Sequence, residues 1–126
     1  MNKHKIFLLL ATAGLIPIAL SYGFSPNASL AFLFDIDVNS VEVSHIFRAV
    51  MGLYLATALY WLIGAFNPKH TKGAIINLII FMFGLAFGRI LSIAVDGNPN
   101  GVLWLYLILE FGFGVVGLLL LKQKTE

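Results

Sequence analysis

Hydrophobic positions in this chain fall into four long runs, Ile6 to Tyr22, Ile46 to Phe66, Ala74 to Val95 and Val102 to Leu121, separated by polar or turn-forming residues. Each run approaches the roughly 20 residues that a helix needs to cross a bilayer, the first only just. Inside lipid the backbone must satisfy its own hydrogen bonds, so the runs are predicted to be helices. Asn67-Pro68 removes a helix donor after the second run. Asp96-Gly97-Asn98-Pro99-Asn100-Gly101 is a dense turn signal that predicts a tight antiparallel hairpin of the third and fourth spans. The stretch from Gly23 to His45 is too long for a simple link and too apolar for a solvated one. Ser25-Pro26 reads as an N-cap followed by proline at the first helical position, and Ala28, Leu30, Ala31, Phe32, Leu33 and Phe34 supply an apolar surface. A short interfacial helix lidding the bundle is expected there. The pattern predicts an all-α membrane protein: a four-transmembrane-helix bundle, one integral membrane domain over 1–126, with spans at about 6–22, 46–66, 74–95 and 102–121.

Composition agrees, because 60% hydrophobic and 11% charged residues leave too little charge to coat a soluble globule and too much apolar surface for a disordered chain. Four spans take up most of the 126 residues, so a single domain with no second, soluble one is expected. The absence of cysteine removes disulfides and thiolate chemistry. Charge placement gives direction. Lys3 and Lys5, Lys69 and Lys72, and Lys122 and Lys124 flank one set of span ends, whereas Asp35, Asp37, Glu42 and Asp96 mark the other. The positive-inside rule then puts both termini in the cytoplasm, with the first and third loops outside. Tyr60 and Trp61 at an inner end, and Tyr22, Trp104 and Tyr106 at outer ends, read as interfacial anchors. The basic start and first apolar run also resemble a cleaved signal peptide, but no persuasive small-x-small site follows; an ordinary first helix bent at Pro17 is preferred.

Three charges fall inside the predicted spans: Arg48, Arg89 and Glu110. Burying each costs several kcal/mol unless it pairs or reaches water, so partners are required. At 1.5 Å per residue, Arg48 lies a few Å, Arg89 about 9 Å and Glu110 about 12 Å below the outer ends of their spans. Helical phase groups Arg89, Ser92 and Asp96 on one arc of the third span, beside a small-residue stripe containing Gly84 and Gly88 that invites close helix approach. Tyr106, Glu110, Gly114 and Gly117 share a face of the fourth, and His45, Arg48, Ala49, Gly52 and Ala56 a face of the second. Turning all three stripes inward would set Glu110 between Arg89 and Arg48. Such a set is either purely structural, fixing helix register, or a site for a lipid or a small anionic or amphipathic ligand. Taken singly, Arg48 reads as a snorkelling residue, Asp96 as turn chemistry, and His45, with Ser44, as a helix start. His4 and His70 accompany the lysines and are expected in solvent. No histidine pair has ligand spacing, so no metal or cofactor is expected.

No phosphate-binding loop, dinucleotide motif, Ser-His-Asp set or basic nucleic-acid patch is visible, and the sequence pI near 9.1 reflects the flanking lysines. His45-Ile46-Phe47-Arg48-Ala49-Val50-Met51-Gly52-Leu53-Tyr54, Phe81-Met82-Phe83-Gly84-Leu85-Ala86-Phe87-Gly88-Arg89-Ile90-Leu91-Ser92 and Asp96-Gly97-Asn98-Pro99 together resemble the four-helix membrane proteins grouped as domain of unknown function family 4345. The likeness covers nearly the whole chain and includes a glutamate in the last span, here Glu110. It implies a small protein of the bacterial inner membrane with no assigned activity. Three function classes remain open. One is a non-enzymatic protein binding a lipid or small anionic or amphipathic ligand in an outer-facing Arg/Glu pocket, or serving as an accessory subunit of a membrane complex. A second is a transporter or channel, which with four short helices needs a homo-oligomer. The third is a membrane-embedded lipid-modifying enzyme using Glu110 with Asp96 or His45.

Overall fold

In the computed structural model, which describes residues 2–35 and 40–123, four long helices each start on a side-chain cap. Asn2 accepts from the Lys5 amide at 2.7 Å, Ser40 from Val43 at 3.0 Å, Asn67 from Lys69 at 3.1 Å and Asn100 from Leu103 at 3.2 Å. Each bond satisfies an amide that the first helical turn leaves without a partner. The helices are α1 (Lys3–Gly23), α2 (Pro26–Phe34), α3 (Val41–Phe66), α4 (Pro68–Asp96) and α5 (Gly101–Leu121). All except α2 are long and apolar enough to cross a membrane. Two charged residues that mark span ends in the sequence, Asp37 and Lys124, lie outside the described residues.

Two boundaries differ from expectation. Ser40 caps α3, so Ser44 and His45 sit inside the helix and do not start it. Asn67 ends α3 and also caps α4, so most of the expected connection from 67 to 73 is helix. The lysines Lys69 and Lys72 are therefore carried on the first turns of α4. The short α2 forms where the Ser-Pro pair predicts it and buries Pro26, Leu30 and Phe34 at i, i+4, i+8.

The chain packs α1 along α3, α3 against α4 and α4 against α5. Side chains of α1 close the bundle onto α5: the Phe7 and Phe113 rings lie 5.6 Å apart, and Lys3 Nζ donates to Gln123 Oε1 at 2.9 Å. His4 belongs to this seam. It is buried, with Nε2 2.9 Å from the Leu120 carbonyl oxygen, and is not the solvated companion of the lysines that its position suggested. The aromatic anchors need similar correction. Trp61 is fully buried, and Tyr22 and Tyr106 are core residues; each has a polar tip with a protein hydrogen-bond partner.

Trp61 Nε1 donates to Asn77 Oδ1 at 2.9 Å across the α3–α4 interface. Asn77→Leu should leave that indole N–H buried without an acceptor and lower stability by about 1–2 kcal/mol. A melt followed by Trp fluorescence in detergent micelles would show it.

Glycines set how closely the helices approach. A Cβ at Gly64 would collide with the Ala74 side chain and stand 3.0 Å from the His70 carbonyl oxygen, so α3 and α4 nearly touch beside their connection. At Gly84 and Gly88, further along α4, nothing lies within 4 Å of such a Cβ. The expected close approach on that stripe is not made within this chain. The helices are pinned at the lysine-bearing end, and a cleft opens at the other.

Candidate functional site

Arg89 projects from α4 where this cleft begins. Its guanidinium makes a two-pronged contact with Glu110 of α5, Nε to Oε1 at 2.7 Å and Nη2 to Oε2 at 3.0 Å. Both prongs are charge-assisted and their planar geometry fixes orientation as well as energy. Nη2 also donates to the Tyr22 hydroxyl of α1 at 3.0 Å, and the guanidinium carbon lies 5.7 Å from the centroid of the Tyr106 ring. One arginine thus joins α1, α4 and α5. The side chain of Glu110 is only 8% exposed and that of Arg89 19%, so the carboxylate is enclosed while the guanidinium keeps an open edge. Nη1 has no partner among the described residues.

An aromatic shell holds this arrangement. Tyr22 stacks on Phe34 of α2 and on Phe47 of α3, with centroids 5.7 and 5.9 Å apart. Tyr54 meets Tyr22 edge-on at 5.6 Å, and Phe34 meets Tyr106 edge-on at 6.0 Å. The Tyr106 hydroxyl is 3.4 Å from Ser21 Oγ. The helix α2 therefore caps the polar cluster through Phe34, and Asn100 ties it down by donating to the Leu33 carbonyl at 3.3 Å.

Beside the cluster, Phe47, Val50 and Tyr54 of α3 face Gly84, Leu85 and Gly88 of α4 across a cleft of about 460 Å³. Arg89 and Ser92 stand at its polar edge. The Ser92 hydroxyl donates to Asp96 Oδ2 at 2.7 Å, one helical turn on, which accounts for the shared arc of these two residues.

The seven residues singled out from the sequence separate into two groups. Arg89, Glu110 and Tyr106 converge, with Ser92 and its partner Asp96 on the adjoining turns of α4. Arg48 and His45 do not join them: both are exposed and line a different recess with Ser44 and Asn27. The α3 stripe of His45, Arg48, Ala49, Gly52 and Ala56 is turned outward, because the opposite stripe of Tyr54, Ala58, Trp61 and Ala65 takes the interior. Burying two aromatic side chains removes far more apolar surface from lipid or water contact than burying alanines and a glycine, and it also satisfies the Trp61 donor. Glu110 consequently has one arginine partner and not two. The residue that the sequence reading missed at the cluster is Tyr22. Its signal was present: His4, Leu8, Ala11, Leu15, Ala19 and Tyr22 recur at three- and four-residue spacing, and all are buried.

The α5 face expected inward is inward: Tyr106, Glu110, Gly114 and Gly117 are all buried. A Cβ at Gly114 would lie 2.9 Å from the Phe83 ring and one at Gly117 2.9 Å from Ile79, so these glycines admit α4 and bring Arg89 within reach of Glu110. The sequence matches a family model described as a domain of unknown function, DUF4345, over residues 4–121. No curated protein and no solved structure matches the chain.

Proposed function

The chain belongs to the DUF4345 family, and from that premise we propose that this small multi-span helical membrane protein is a non-enzymatic binder of a lipid-like amphipathic molecule, held in the cleft beside Arg89. The observation that carries the reading is the cleft: about 460 Å³ between α3 and α4, with apolar walls and one polar edge. Its size and its few convergent polar groups match what small-molecule sites require. Charge narrows the guest. Arg89 is offset by Glu110, Asp96 is held one turn from Ser92, and Arg48 lies elsewhere, so the cleft has no surplus positive charge. A hydrogen-bonding headgroup on an apolar tail suits it better than a compact anion, the head meeting Arg89 Nη1 and the tail lying along Phe47, Val50 and Leu85. The lysines at the end opposite the cleft support an orientation with both termini in the cytoplasm of a bacterium and the cleft toward the outer half of the inner membrane. An acid–base pair from Glu110 and His45 has no comparable support, since the two line different recesses.

Native mass spectrometry of the purified protein with added palmitoyl lysophosphatidylethanolamine provides the test. Wild type should retain a lipid adduct, and Gly88→Phe should weaken retention by about tenfold by filling the cleft, without lowering the melting temperature. Equal retention by the two proteins would overturn the proposal.

A further inference from the structure

Arg48 does not contribute to the cleft, and its surroundings ask for a separate account. A recess of about 610 Å³ opens between the first turn of α2 and the first turns of α3. It is lined by Arg48, His45, Ser40, Ser44 and Asn27, together with Val41 and Ala49. Ser40 is committed to capping α3 by accepting from the Val43 amide, which leaves its hydroxyl hydrogen to donate. Arg48 makes no ion pair among the described residues, and no carboxylate among them lines the recess. Among the described residues the nearest acids by position are Glu42, exposed on the first turn of α3, and Asp35, which closes α2 at the end away from Asn27.

A guanidinium about 10 Å along a membrane-spanning helix from its first residue is costly to leave without a counter-charge. Snorkelling to water would meet that cost alone, but it would not explain why Asn27 of α2 and Ser44 and His45 of α3 line the same concavity. Every one of these residues has a side chain that can donate a hydrogen bond; arginine's planar fork takes two oxygens of a carboxylate or a phosphate, and the additional donors suit the further oxygens that a phosphate carries. We infer that the recess formed by Arg48, His45, Ser44 and Asn27 binds a phosphate group, presented by a membrane lipid or as a free phosphate, at a site separate from the Arg89 cleft.

The chain contains just two arginines, Arg48 and Arg89, so the full-length protein labelled with ¹⁵N-arginine should show two Nε–H resonances by NMR, with Arg48→Gln identifying one. In detergent, millimolar inorganic phosphate should move the Arg48 resonance saturably and leave that of Arg89 in place. In nanodiscs, the same resonance should differ between phosphatidylglycerol and a phosphate-free glycolipid. A response to inorganic phosphate only assigns the site to free phosphate, and a response to phosphatidylglycerol only assigns it to a lipid headgroup. The paired change Ser44→Ala with His45→Gln keeps Arg48 but should weaken the response about tenfold. His45 is exposed and Ser44 half-buried at the recess, and neither change enlarges a packed side chain, so the variant should fold. An Arg48 resonance that ignores both probes, or that responds equally without Ser44 and His45, would overturn the inference. The Arg89 resonance and the lysolipid adduct report on the cleft independently.

Discussion

Replacing Glu110 with alanine should destabilise the protein by about 3–5 kcal/mol, read as a large fall in melting temperature of the detergent-solubilised chain. The carboxylate takes both prongs of Arg89, and the guanidinium that remains would be held between α1, α4 and α5 with Tyr22 as its sole hydrogen-bond partner among the described residues. The cost comes from the stranded charge and not from the loss of a favourable pair, because two ions taken out of water and then joined return little net energy. The double variant Arg89→Met with Glu110→Leu, which removes both charges and keeps the volume, should therefore recover most of the lost stability. It should not recover the lysolipid adduct, since the polar edge of the cleft goes with Arg89. That split separates the two readings that the sequence leaves open. A double variant that is stable and still binds the lysolipid would make the pair a helix-register device alone.

Much of the architecture was legible because the relevant signals are local. Apolar run length marks the four spanning helices, the Ser25-Pro26 pair marks α2, and the dense turn before Gly101 marks the α4–α5 hairpin. The inward face of α5 was also readable, since Tyr106, Glu110, Gly114 and Gly117 keep helical phase and no competing stripe on that helix offers larger side chains together with a polar partner. On α3 two stripes compete. The small, polar one looks like a site, but the aromatic one buries more surface, and Trp61 can do so only because Asn77 lies across from it on α4. That pairing is a tertiary fact which no window of the sequence contains. Arg48 illustrates the same limit: an arginine near a span end looks identical whether it meets a glutamate, water or a headgroup. Gly84 and Gly88 carry a motif associated with close helix packing, yet Gly64 is where α3 meets α4.

Gly64 and Gly84 are both glycines within apolar helices, and the structure assigns them opposite sensitivities. Gly64→Leu should cost about 3 kcal/mol or more. Its Cβ alone would overlap the Ala74 side chain, and relief by separating the helices would break the 2.6 Å hydrogen bond from Thr71 Oγ1 to the Gly64 carbonyl and disturb the turn at Asn67, which caps α4. No flexible side chain is available to give way, because the obstructing atoms are a Cβ and a backbone carbonyl. Gly84→Leu meets nothing within 4 Å of its Cβ and replaces a residue that disfavours helix formation by roughly 0.8–1 kcal/mol relative to alanine, so its melting temperature should match or slightly exceed wild type. The new side chain would nonetheless enter the cleft, and the lysolipid adduct should fall. Measuring both melts and both adducts tests the shape of the α3–α4 interface directly: if Gly84→Leu melted as low as Gly64→Leu, the helices would be packed closely along their whole length and the cleft beside Arg89 would not exist.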